Sequence, residues 1–245
     1  MKTCVLFLLC IFSTYGHTQT LTIGSSKFNP PFETWASHDA SYFGYDIDLM
    51  TIICKRLKAT CKFKAYTFNE LFGAIDRNEV DLIIASMIIT KPRQEQYLFS
   101  LPYLESYSQY ITSSKNASIN NPDDLYGKKI GVRKGTPYGS QVLAESRNNT
   151  IVYYPLIVDI FVGLQNKEID AFVLDYEAAK YWIATNPGIY KLIGNKIPVG
   201  EGYAVMTQYK NAGLVKRIND IILQMGEDGT FIGLYSKYFG WNNAN

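Results

Sequence analysis

Along the chain, short apolar runs alternate with stretches whose apolar residues recur every three or four positions. Leu21-Thr22-Ile23 reads as a first strand, and the loop "GSSKFNPPFE" follows it. "GYDIDLMTIICKRL" places Ile47, Leu49, Ile52, Ile53 and Leu57 on one helical stripe, with Asp46 and Asp48 where carboxylates suit the helix dipole. Asn69 to Asp76 is a second short helix, and "VDLIIAS" a buried strand. With a strand between the two helices this is a β-α-β-α-β order, which calls for parallel strands covered by helices.

The pattern then repeats. "KKIGV" (128–132), "TIVYY" (150–154) and "DAFVLD" (170–175) read as strands. "GTPYGSQVLAES" runs into a helix, and "VDIFVGLQ" and "YEAAKYWIAT" are helical, the last ended by Asn186-Pro187-Gly188. Two amphipathic helices close the chain, the first with Leu214, Ile218, Ile221, Ile222 and Met225 on one face, the second "TFIGLYSKYF". With no strand after them, these tail helices must pack on a unit already formed. Ligands in open α/β sheets bind outside the carboxyl ends of strands, which is where Ser86, Thr90, Gly135-Thr136 and Asp175 fall.

Composition changes this picture little. The 245 residues carry a formal net charge of +2, and no Lys/Arg-rich run suggests nucleic acid. The N-terminus changes it more. Lys2, the apolar run from Cys4 to Phe12 and the small residues Ser13, Thr14 and Gly16 read as a cleaved signal peptide, residues 1–16, and so as export to the periplasm. The run is too short for a membrane span, and Leu9 before Cys10 argues against lipidation. Export leaves one cysteine pair, Cys54 and Cys61, which an oxidising compartment would close into a disulfide. A metal site competes poorly, because His17 and His38 are the only histidines. No cofactor and no metal are expected.

Arg93 poses the sharpest question. Thr90 is a good N-cap, Lys91 and Pro92 take the first helical positions, and Arg93 lies in the first turn, where a cation opposes the dipole. Either it swings out to solvent or a surface carboxylate, or it joins free N–H groups in an anion site. Residues alone leave the two readings level.

"YFGYDIDLMTIICKRLKATCKF", "VDLIIASMIITKPRQEQYLFSLPY", "LYGKKIGVRKGT" and "EIDAFVLD", in this order, resemble the periplasmic solute-binding proteins for polar amino acids. Within them the likeness is to the arginine and lysine/arginine/ornithine/histidine group, whose C-x6-C pair is also present. The resemblance implies a two-lobed α/β fold of the type II periplasmic-binding-protein kind. Each lobe would be a mostly parallel sheet flanked by helices, with a ligand cleft between them. Lobe 1 would comprise 20–106 plus 207–241, and lobe 2 107–206. It implies a monomer that captures a free amino acid and delivers it to an ABC transporter permease in the inner membrane. Carried over by residue, Arg93 clamps the α-carboxylate with backbone N–H groups near Ile88 and Thr136. Asp175 takes the α-ammonium, and Ser86 adds an oxygen.

Several positions depart from that pattern. Ile88 stands where Ser or Thr is usual, Pro137 removes a donor, and Ser26 replaces the acid that basic-ligand binders often carry. Asn29 stands where an aromatic is common, unless Phe28 takes that role. Arg133 occupies the place of a lysine that faces the ligand in glutamine binders. Glu33 is read as facing solvent, with the alternative that it anchors a basic side chain. Phe68 walls the side-chain pocket or merely packs in the core. The expected ligand is therefore a polar amino acid, arginine favoured, with glutamine or another neutral one as the alternative. An enzyme of the cyclohexadienyl or arogenate dehydratase type on the same fold is a further alternative, as is a detached sensor. Neither is preferred: Glu33 is the one carboxylate to nominate as a catalytic acid, His38 lies in a polar loop, and no fused signalling domain is present.

Overall fold

The structure, a computed structural model, describes residues 19–36, 41–145 and 147–240. The signal segment, His17 and His38 lie outside them.

The first unit begins with β1 (Thr20–Ser26), β2 (Phe28–Asn29), β3 (Glu33–Ala36) and β4 (Ser41–Phe43). It continues through α1 (Tyr45–Leu57), β5 (Thr60–Tyr66), α2 (Glu70–Asp76), β6 (Leu82–Ile83), the four-residue α3 (Lys91–Gln94) and β7 (Leu98–Phe99). The chain then builds β8 (Tyr107–Ser113), β9 (Lys129–Arg133), α4 (Tyr138–Ala144), β10 (Thr150–Tyr154), α5 (Ile157–Gln165), β11 (Ala171–Asp175), α6 (Tyr176–Thr185) and β12 (Tyr190–Pro198). It returns through β13 (Met206–Thr207) and ends in α7 (Ala212–Glu227) and α8 (Thr230–Phe239).

Two five-stranded sheets result, ordered β5-β1-β6-β13-β7 and β10-β9-β11-β8-β12. In each, the three strands of the expected β-α-β units are parallel; the next strand, β13 or β8, runs antiparallel to them, and the edge strand, β7 or β12, pairs antiparallel with it in turn. The expectation of parallel sheets thus holds for the half of each sheet that helical crossovers build. The antiparallel half comes from segments that cross between the units. The loop after β1 differs from expectation too. It folds into a small antiparallel sheet, β2-β3-β4.

Helix α1 forms because its apolar stripe has one place to go. Leu49, Met50 and Ile53 are fully buried, each contributing about 1.5–3 kcal/mol against exposure. A left-handed Lys58 ends the helix, and the Cys54–Cys61 disulfide then ties its last turn to β5. In the chain-entropy model a loop this short gains about 2–3 kcal/mol from the bridge. The tail helices return to α1: Asp48 binds Lys237 Nζ at 2.5 Å and the Tyr238 hydroxyl at 2.6 Å, and Arg56 pairs with Asp228 at 2.8 Å. Asp48 therefore serves as a tether as well as a dipole partner. No described helix is long and apolar enough to cross a membrane.

Candidate functional site

Side chains from both units meet at the carboxyl ends of their strands. Arg93 is nine-tenths buried. One guanidinium nitrogen donates to the Ile88 carbonyl at 2.5 Å and another to the Gly135 carbonyl of the second unit at 2.9 Å. Burial, with Arg133 adding to it, pulls its pKa down to about 10, so it remains a cation at neutral pH. The solvent reading of Arg93 is excluded. Helix α3 has only four residues and the Thr90 side chain makes no capping bond, so the dipole conflict posed by the sequence is slight. The helix serves as a turn that aims the guanidinium inward. Gly135, at φ +88°, passes so near Asn69 that a Cβ would lie 3.3 Å from its Cα; a bare backbone lets the two units approach here.

Asp175 ends β11, almost fully buried. One carboxylate oxygen accepts from the hydroxyls of Tyr138 and of Tyr203, the latter at 2.9 Å. The other accepts from Asn29 Nδ2 at 3.3 Å and lies 4.0 Å from Arg133. Asn29 Nδ2 also donates to Ser86 Oγ at 2.9 Å, while Asn29 Oδ1 has no partner. Ser86 takes the left-handed φ of 43°, held by its N–H to Asp46 Oδ2 at 2.5 Å. Asp46 accepts from the Tyr103 hydroxyl as well, at 2.9 Å. Burial raises the Asp46 pKa to about 7 against the pull of these two donors.

Glu33 corrects the sequence reading most. It is fully buried, not solvent-facing, and neither carboxylate oxygen has a hydrogen-bonding partner. Its position is imposed from behind. The first N–H groups of α1, on Tyr45 and Asp46, donate to the carbonyls of Pro31 and Phe32 at 2.9 Å each. Gly44 permits this, since any Cβ there would sit 2.2 Å from the Phe32 oxygen. Burial first, then the charges of Asp46 and Asp175, push the Glu33 pKa well above the ordinary range; Arg133 and the Ser26 hydroxyl pull the other way. A buried acid without a donor is costly.

Phe68 is a buried core residue that also reaches the charged cluster. It packs with Leu71, Ile75 and Tyr97, and its ring lies under Arg133 at 4.3 Å and within 5.8 Å of Arg93. Phe28 lines a narrow crevice with Ser26, Phe68 and Arg133, and meets Trp182 of the second unit edge-on at 6.1 Å. Thr136 turns its N–H and hydroxyl onto the Arg133 carbonyl, at 3.3 and 2.7 Å. Ile88 supplies its carbonyl to Arg93. Tyr103, Tyr138 and Tyr203 escaped the sequence reading, as did the positioning role of Asp46. Only its place one residue into α1 marks Asp46, and nothing local marks the tyrosines.

Two sheet-and-helix lobes enclosing a buried cluster of opposite charges define a two-lobed solute-binding protein. The chain belongs to the bacterial extracellular solute-binding proteins, family 3, whose model matches residues 21–241. It is similar to an arginine 3rd transport system periplasmic binding protein from Legionella pneumophila, whose crystal structure is 56% identical in sequence with a TM-score of 0.88 over 91% of this chain and 100% of that one. It is 28% identical to the putative ABC transporter arginine-binding protein 2 of Escherichia coli K12, over 90% of this chain and 91% of that one. An ancestral arginine-binding protein solved with glutamine is 31% identical, with a TM-score of 0.83 over 90% of this chain and 98% of that one. All three are binding proteins, in line with the receptor reading rather than the dehydratase one.

Proposed function

We propose that this chain is the periplasmic receptor of an ABC importer and captures a polar amino acid, arginine favoured, between its lobes. Residues 1–16 would be its signal peptide, 20–106 plus 207–241 its first lobe and 107–206 its second. It would act as a monomer that hands its ligand to an inner-membrane permease. Arg93 clamps the α-carboxylate, Asp175 takes the α-ammonium with Asn29 and Ser86 beside it, and Glu33 receives the side chain. A zwitterion entering a desolvated cleft needs a fixed counter-charge for each end, and Arg93 and Asp175 supply them. The observation that carries the arginine reading is Glu33, a buried carboxylate with both oxygens unpartnered. Glutamine or another neutral polar amino acid is the second reading, favoured by Ser26 and by the Arg133 cation in the cluster.

The test is a thermal-shift screen of mature protein, unfolded and refolded to strip carried-over ligand, against the common amino acids plus ornithine and citrulline. A ligand at a hundred times its Kd stabilises by about 2.7 kcal/mol. A shift with arginine supports the main reading, and one with glutamine alone the second. No shift with any amino acid overturns both and turns the search to prephenate and arogenate.

A further inference from the structure

The segments that cross between the two sheets, residues 100–106 and 199–205, are joined by side-chain hydroxyls as well as by backbone. Tyr103 N–H donates to the Tyr203 carbonyl and Tyr203 N–H to the Leu104 carbonyl, both at 2.8 Å. Next along the chain lies Ser106, which is buried. Its hydroxyl donates to the Val199 carbonyl and accepts from Gly202 N–H at 3.0 Å. Val199 directly follows β12 of the second sheet, and its N–H donates to the Ser106 carbonyl at 3.1 Å. Gly202 is docked on the first unit instead. Its carbonyl accepts from Ile89 N–H at 2.9 Å, and the neighbouring Glu201 N–H donates to the Ile89 carbonyl at 3.0 Å. One hydroxyl thus bridges a residue carried by the second sheet to a residue held on the first unit.

We propose that Ser106 is a positioning residue that holds the lobes at their closed angle, and so sets the affinity for every ligand without choosing among them; this rests on the amino-acid receptor reading above. A change in the angle between the lobes alters the span from Val199 to Gly202. The backbone there can follow, because Gly200 and Gly202 take φ of +66° and +103°, which other residues adopt only under strain. An open groove of about 410 Å³, lined by the two crossing segments, leaves the loop room to change shape. The hydroxyl cannot follow, since it keeps both bonds within range at one span only. Ser100 supplies the contrast. It is similarly buried, and its hydroxyl accepts from Val205 N–H, also at 3.0 Å. The strands beside it, β7 and β13, pair within one sheet, so this bond is indifferent to the angle between the lobes.

The test pairs calorimetric titration of wild type, S106A and S100A with distances between two spin labels, one on each lobe, measured with and without ligand. S106A should weaken arginine and glutamine by the same factor, roughly fivefold, the weight of one hydrogen bond. Its ligand-saturated protein should show longer inter-lobe distances than wild type. S100A should match wild type in both measurements. S106C, whose thiol is a weak donor and acceptor, carries the same test should S106A fail to fold. Wild-type affinities and distances in S106A overturn the proposal. So does an equal effect in S100A, which would mean general loosening, or a changed ratio of the arginine and glutamine Kd values, which would place Ser106 in the ligand site. A wild type that binds no amino acid brings down the receptor reading, and the ligand-free distances then decide this one: a shift to longer values in S106A and not in S100A upholds it, and no shift overturns it.

Discussion

The cluster between the lobes has two unlike ends. At Arg93 the cation is tied to backbone carbonyls of both lobes, at 2.5 and 2.9 Å. At Glu33 and Arg133 the charges have weak partners or none. Backbone contacts cannot be changed by substituting the partner residue, and they hold a guanidinium in one geometry. Such a corner suits the part common to every amino acid. Underpartnered side chains can re-pair at little cost, which suits the part that varies. The Asp175 site lies between these extremes, with Tyr138 and Tyr203 fixing one oxygen and leaving the other to Asn29 and Arg133.

The comparison breaks most visibly at Arg93. R93A should weaken every amino acid that binds by roughly 5 kcal/mol, the upper end for stripping the partner from a buried charge. Calorimetry showing selective loss of one amino acid would contradict a role at the common part. The unliganded variant should stay folded but melt a few degrees lower, because two carbonyls lose their donor. D175N should cost about 3 kcal/mol for every ligand, less than R93A because the Asn oxygen retains the two tyrosine bonds while the charge and the Asn29 bond are lost. Unchanged affinity would move the ammonium elsewhere.

The variable end should respond selectively. E33Q should weaken arginine roughly tenfold, about 1.4 kcal/mol, and leave glutamine nearly unchanged. Protons sharpen this. Burial raises the Glu33 pKa in the free protein, and a cationic side chain beside it would lower that pKa. Arginine binding should therefore release protons, and arginine affinity should rise with pH between the ordinary glutamate range and the raised value. Glutamine should show neither effect, and E33Q should abolish both. Titration in two buffers of different ionisation enthalpy reads the release; equal release with arginine and glutamine would remove Glu33 from the side-chain contact.

How much of this was legible depends on the range of the cause. Helices α1, α2, α4 to α8 and strands β1, β9, β10 and β11 follow from periodicity within a dozen residues. Strands β8 and β12 did not. Their antiparallel pairing, with a bulge between Ile193 and Ile197, is decided by neighbours far away in sequence, and "YKLIGNKIP" carries no clean alternation. Strand β6 was legible only as part of the apolar run "VDLIIAS", and the two-residue strands β2, β7 and β13 leave almost no local pattern. Arg93 stood out because a cation in a first helical turn is a visible anomaly, and Asp175 because it ends a continuous apolar strand.

By itself, then, the amino-acid sequence determined the succession of helices and strands, the cysteine pair and the polar residues at strand ends, since all of these rest on short-range spacing. Tertiary structure alone decided that Glu33 is buried without a partner, that Asp46 holds the Ser86 turn, and that Arg133 reaches across to Phe68. Those outcomes depend on α1 docking onto the Pro31–Phe32 carbonyls and on two lobes coming together. A side chain's burial and charge environment are set by whatever the rest of the chain brings to it, and no local spacing encodes that.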